Sequence, residues 1–112
     1  MAEEAESPVP EGAAVFPLIP PELGVNPLLL AVLHAVVFIE GSDDRIVNPL
    51  AADEARQFIA GYLQRLRGPH LHQAQEDMKC LANYARQVKW PKQELRFLKE
   101  FFDDYGVPGE TA

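Results

Sequence analysis

The chain has 112 residues, of which 47% are apolar and one is cysteine, and its formal net charge is −7. This length allows one domain with a small core, and a single cysteine excludes an intramolecular disulfide and a cysteine-rich zinc site. The acidic start, MAEEAES, lacks the basic residues of a secretory signal or a transit peptide, so we expect a cytoplasmic protein.

Residues 1–25 predict an acidic, proline-rich N-terminal arm. They carry five glutamates, five prolines and no lysine or arginine. Because proline interrupts helices and acidic segments poor in apolar residues stay unfolded, we expect this arm to be largely disordered. Its second half differs, because it contains Phe16, Leu18 and Ile19. Moving these apolar side chains out of water lowers the free energy of the chain. We hypothesise that these residues dock weakly beside the third and fourth helices, from which a partner can displace them.

Four proline-led starts, about 20 residues apart, predict four helices over residues 26–106. Proline suits the first helical position because its missing amide hydrogen would be unpaired there, and asparagine is a good residue to cap that end. The starts are Asn26-Pro27, Asn48-Pro49, Gly68-Pro69 and Trp90-Pro91. Gly41 and Gly106 are expected to end helices in the left-handed conformation. Residues 107–112 then form a flexible C-terminal tail.

The apolar spacing agrees with this division. The first segment, Pro27 to Ile39, is apolar nearly all round, which is typical of a helix enclosed by others, and it is too short to span a bilayer. The later segments repeat apolar residues at helical spacing, in the sets Phe58, Ile59, Tyr62, Leu63, Leu66; Leu71, Ala74, Met78, Leu81, Ala85, Val88; and Leu95, Leu98, Phe101, Phe102, Tyr105. The predicted fold is all-α: a small four-helix bundle-like domain with a flexible N-terminal arm.

The stretch GPHLHQAQEDMKC, residues 68–80, holds the candidate metal ligands. His72, Glu76 and Cys80 follow one another at intervals of four, and all three residue types can bind zinc. They extend over two helical turns, about 12 Å, so one ion can reach only two neighbours of the three. The alternative is an ordinary helix in which Glu76 and Asp77 are surface acids. We favour the helix, and expect no metal and no cofactor.

A basic stretch runs from Lys79 to Lys99, with six lysines and arginines against Glu94 alone. Bases for phosphates and aromatic rings for stacking are the footprint of a nucleic-acid-binding protein. The opposing interpretation is two amphipathic helices with solvated bases, and the overall acidity favours it. The residues of interest at this turn are Lys89, Trp90, Lys92 and Arg96.

No phosphate-binding loop and no nucleophile–base arrangement is found in the sequence, so we do not expect an enzyme. The favoured function is a protein-interaction or assembly module, with an unknown protein partner or a second copy of the chain. The alternative is a nucleic-acid-binding regulator that uses the basic third and fourth helices. A metal-dependent enzyme is a distant third hypothesis. The candidate interaction residues are Phe16, Leu18, Ile19, Lys89, Trp90, Lys92 and Arg96.

Overall fold

The computed structural model describes residues 11–108, and within them it contains four α-helices, one short 3₁₀-helix and no β-strand. The 3₁₀-helix is Pro21–Leu23, and the α-helices are α1 (Pro27–Gly41), α2 (Pro49–Leu63), α3 (Gly68–Gln87) and α4 (Lys92–Asp104). The predicted all-α class and the four predicted helices are thus confirmed for this part of the chain. The disorder expected of residues 1–10 and 109–112 lies outside the described residues.

Side-chain caps explain why α1 and α2 begin where they do. The Asn26 Oδ1 atom accepts a hydrogen bond of 2.8 Å from the amide of Leu28. The Asn48 Oδ1 atom accepts from the amides of Leu50 and Ala51, at 2.9 and 3.1 Å. Each cap satisfies amides that have no partner inside the first turn. The proline that follows each asparagine lacks the amide hydrogen that would otherwise need a further acceptor.

The helix ends differ in part from the sequence prediction. Gly106 takes a φ of 72° after α4, as expected, and the amide of Val107 then donates to the Phe102 carbonyl at 2.8 Å. The left-handed end expected at Gly41 is wrong, because Gly41 is not among the residues with positive φ. A Cβ atom at Gly41 would lie 2.8 Å from the Cβ of Ala14. This glycine therefore allows the N-terminal segment to approach α1 closely.

The core is built by α1, α3, α4 and the two segments that flank the helices. Val107, which the sequence placed in a flexible tail, belongs to it, as do three residues of the segment 11–25. No residue of α2 is buried; Ile59 and Leu63 are only partly covered. The buried apolar residues are Phe16, Ile19, Val25, Leu29, Leu33, Val36, Met78, Leu81, Ala85, Leu98, Phe101, Phe102, Tyr105 and Val107.

The helices pair as α1 with α2 and α3 with α4. The first pair is antiparallel. Ile39 and Ala52 line one cavity near the connecting loop, while Leu28 and Leu63 line another at the far end of the pair.

None of the helices within residues 11–108 combines the length and the apolar character that a membrane span requires.

The segment before α1 offers a matched pair of variants. Phe16 is 1% exposed and Leu18, two residues later, is 91% exposed. We expect Phe16→Ala to lower the free energy of unfolding by about 3–5 kcal/mol, because it empties a buried aromatic site. Leu18→Ala should change it by less than about 0.5 kcal/mol, as exposed positions do. Denaturant unfolding followed by circular dichroism measures both, and equal small effects would contradict the packing of this segment.

Candidate interaction surface

An apolar stripe on α1 faces solvent. Leu28, Ala31, Ala35 and Phe38 recur at steps of three and four, which places them on one side of the helix. All four are exposed, and Leu28 is 75% exposed. The expectation that neighbours enclose this helix on all sides is therefore wrong. Its opposite side, at Leu29, Leu33 and Val36, is the one that enters the core.

A second exposed stripe lies on α2. Phe58 is 62% exposed and Tyr62 is 61% exposed, and they lie one turn apart. Ala51 is exposed on the same side of the helix, two turns before Phe58. The sequence grouped Phe58 and Tyr62 with Ile59 and Leu63 as one core-facing stripe. Of these four residues, only Ile59 and Leu63 pack against the core, because α1 packs on that side of α2.

The two stripes lie on the same side of the α1–α2 pair. Glu40 of α1 and Arg56 of α2 both turn toward Tyr105 at the end of α4. Successive helical residues are about 100° apart, so Ala35 and Phe58 lie on the sides of their helices that face away from α4. We call the combined surface the hairpin face: Leu28, Ala31, Ala35 and Phe38 of α1 with Ala51, Phe58 and Tyr62 of α2.

The apolar residues singled out near the N-terminus have different surroundings. Phe16 and Ile19 are buried and Leu18 points to solvent. The Phe16 ring lies edge-on to His34 of α1 and to Trp90, with ring centroids 5.1 and 5.5 Å apart. Two of the three residues therefore serve to hold this segment on the helices, where an edge-to-face aromatic pair contributes roughly 0.5–1.5 kcal/mol beyond its burial.

The basic turn between α3 and α4 presents charge but little aromatic surface. Lys89, Lys92 and Arg96 are exposed, whereas Trp90 is partly buried. The Trp90 ring packs edge-on against Phe16 and Tyr84. The bases can therefore reach phosphates, but the indole, being held by neighbours, offers little face for stacking on a base.

Lys89 has a φ of 61°, which an L-residue rarely adopts. The amide of Trp90 donates to the Ala85 carbonyl at 3.0 Å, so Lys89 occupies the position after α3 where glycine is usual. Glu94, the one acid of the basic stretch, has a buried Oε1 atom with no hydrogen-bond partner in the described residues.

The weak metal candidates do not converge on one point. His72 and Glu76 are exposed on α3, and Cys80 is partly buried with its Sγ donating to the Leu23 carbonyl at 3.7 Å. Within residues 11–108 no group of three or more histidine, cysteine or acidic side chains could hold a metal ion. His72 and Glu76 thus lie on the exposed surface of α3, whereas Cys80 contacts the segment before α1.

The sequence predicted that Asp77 is a surface acid, and this is wrong because Asp77 is buried. Its Oδ2 atom accepts from the amide of Asn26 at 3.2 Å, and its Oδ1 accepts from the Gln73 side chain at 2.8 Å. This carboxylate connects α3 to the start of α1. A buried acid is tolerated because both oxygens have donors.

A polar cluster that the sequence does not reveal joins α1, α2 and α4. Both the Tyr105 hydroxyl and the Arg56 Nε atom donate to Glu40 Oε2, and the Arg56 contact measures 2.8 Å. Burial, with a smaller effect of Glu40, raises the pKa of Tyr105 to about 12. The hydrogen bond that Arg56 donates to Glu40 also holds the pKa of Arg56 above its ordinary value. The only sequence signal was an acid at the end of an apolar helix, and its partners lie far away in the chain.

The shifted phenol makes stability depend on pH in a defined window. A raised pKa means that folded Tyr105 keeps its proton where the unfolded chain loses it, and the unfolded value is about 10. The stabilisation is complete below pH 10 and is lost as pH rises from about 10 to about 12. Denaturant unfolding at several pH values should show this decline. Tyr105→Phe should make the decline shallower, and an unchanged slope would contradict the assignment.

The metal hypothesis can be tested on α3 directly. We expect His72→Ala and Cys80→Ala to leave the fold intact, since His72 is exposed and Cys80 is only partly buried. Added zinc should not raise the melting temperature of the unmodified protein, because a ligand that binds only the folded state would raise it. Stoichiometric zinc in purified protein, lost in either variant, would show that the ligands converge after all.

Comparison of the chain with protein-family models, with curated proteins and with solved structures gives no match.

Proposed function

We propose that this protein is a non-catalytic interaction or assembly module, and that the hairpin face is its binding surface. The carrying observation is that this face leaves three large apolar side chains, Leu28, Phe58 and Tyr62, more than 60% exposed on adjacent helices. Contiguous apolar patches of this kind are uncommon on monomers and mark interaction sites. The four helices form the bundle-like scaffold that presents the face.

The chemistry of the face supports a protein partner. From Pro27 to Ile39 the chain carries no aspartate, glutamate, lysine or arginine, although one side of α1 faces water. A helix whose outer side remains in contact with water normally carries polar and charged residues on that side. Burial of apolar area contributes about 25 cal/mol per Å², so covering this stripe with another apolar surface is favourable.

The basic turn supports a weaker second hypothesis, a regulator that binds nucleic acid. Exposed Lys89, Lys92 and Arg96 suit phosphate contacts. The inward packing of Trp90 and the net charge of −7 both oppose it. We therefore favour a protein partner, in a reducing compartment such as the cytoplasm, which the single cysteine favours.

Retention of partners by tagged full-length protein from native extract tests the proposal. The double variant Leu28→Ser/Phe58→Ser removes the most exposed large aliphatic side chain and the most exposed aromatic side chain of the hairpin face. Val88→Ser is the matched control, since Val88 is 49% exposed but lies at the end of α3, outside that face. We expect proteins retained by the unmodified chain and by the control to be absent with the double variant, because its surface no longer gains from burial.

Circular dichroism and thermal unfolding should show that all three proteins are folded. If the folded double variant retained the same proteins as the control, the hairpin face would not be the binding surface.

A further inference from the structure

The outward side of α2 combines two charges, two aromatic rings and a glycine on one line. Residues 54, 58, 61, 62 and 65 are spaced so that they share one side of the helix, and each is exposed. Arg65 lies beyond the last residue of α2, within the turn that follows it. We call this set the α2 face: Glu54, Phe58, Gly61, Tyr62 and Arg65.

No neighbour within residues 11–108 explains Gly61. It lies within α2 and is not among the residues with positive φ. A Cβ atom built on it would meet no atom within 4 Å, so no neighbour requires a missing side chain. Glycine is also a poor helix former. What it does provide is a notch beside Phe58 and Tyr62, where another molecule can approach the helix backbone.

The charges and the notch obey one symmetry. Glu54 precedes the aromatic pair and Arg65 follows it, and the midpoint between Glu54 and Arg65 coincides with the midpoint between Phe58 and Gly61. A two-fold axis through that midpoint, perpendicular to α2, brings Glu54 of each copy to Arg65 of the other. The same axis places each Phe58 over the other copy's Gly61. Closed two-fold pairs use such self-complementary surfaces.

Glu54 and Arg65 are too far apart to form an ion pair within one chain. They are eleven residues apart along the helix axis, about 16 Å at 1.5 Å per residue. Arg65 instead lies with its guanidinium carbon 4.9 Å from the centroid of the Tyr62 ring, which holds the positive charge at the edge of the aromatic pair. Its position is suited to a carboxylate that arrives from outside.

We propose that a second copy of this chain docks antiparallel on the α2 face, with Phe58 in the partner's Gly61 notch and Glu54 paired with the partner's Arg65. This inference rests on the proposed function and names the partner for the α2 part of the hairpin face. A standard interface buries about 800 Å² on each side. Two exposed rings supply only part of that area, so the dimer is weak, with a dissociation constant on the order of micromolar.

Sedimentation velocity of the purified full chain, over roughly 1 to 500 µM, measures the pairing. We expect a shift with concentration from the 12.5 kDa chain to a species of twice that mass. Glu54→Arg alone and Arg65→Glu alone should each weaken the dimer about tenfold, since each creates two like-charge contacts across the axis. The double variant Glu54→Arg/Arg65→Glu should recover most of the affinity, because the opposite charges meet again.

Gly61→Leu gives an independent readout. Leucine is a better helix former than glycine and has open space within the chain, so the melting temperature should not fall. The dimer should be lost, because the notch is filled. Val88→Ser, at an exposed position at the end of α3, should leave the dimer unchanged.

A chain that stays monomeric at every concentration would overturn this inference. A dimer that forms without charge rescue and survives Gly61→Leu would overturn it too, since the pairing would then use another surface. Neither result decides the proposed function. That proposal is judged by whether the Leu28→Ser/Phe58→Ser variant loses proteins retained from native extract, and it stands with a different partner if the chain is monomeric.

Discussion

A row of aromatic rings along α4 is the interaction on which the rest of the structure depends. Phe97, Phe101 and Tyr105 follow at intervals of one helical turn, and their neighbouring ring centroids are 5.6 and 4.8 Å apart. Phe16 adds a fourth ring at one end, 6.2 Å from Phe97. Rings at these separations combine large apolar burial with favourable edge and stacking geometry. The row therefore runs from the N-terminal segment to the last turn of α4.

Each end of this row holds a different part of the molecule. At the Phe16 end, the segment before α1 is held against His34 and Trp90, and Gly41 lets Ala14 approach α1. At the Tyr105 end, the hydroxyl reaches Glu40, which also binds Arg56. The position of α2 is thus set by a polar cluster and by half-buried contacts, with no buried side chain of its own.

That arrangement explains why the α1–α2 pair exposes large apolar side chains. A helix held from one side keeps its opposite side available, and on α2 that side carries Phe58 and Tyr62. The sequence analysis singled out the basic turn and α3, which carries His72 and Cys80. Trp90 and Cys80 in these regions pack against other parts of the fold. Their aromatic and sulfur atoms are engaged by Phe16, Tyr84 and Leu23, which leaves them less able to contact a ligand.

The fold class and the helix starts followed from the sequence because they are local. Asn26 and Asn48 act on amides two or three residues away, and a proline after each one fits any helix start. Residues spaced at three and four must share a side of a helix wherever it packs. These features need no knowledge of distant contacts, so residues 26–106 could be divided into four helices from the sequence alone.

Only the tertiary structure decided which apolar side of each helix is covered. Phe58 and Ile59 are neighbours of similar hydrophobicity, yet one faces water and the other the core, because α1 packs on only one side of α2. Nothing in the sequence distinguished Asp77 and Glu40 from other acids. In the structure, Asp77 accepts from the Asn26 amide, and Glu40 accepts from Tyr105 and Arg56, all of which are distant in the chain. Periodicity determines what lies on one face of a helix, and the packing of the other helices determines whether that face meets protein or solvent.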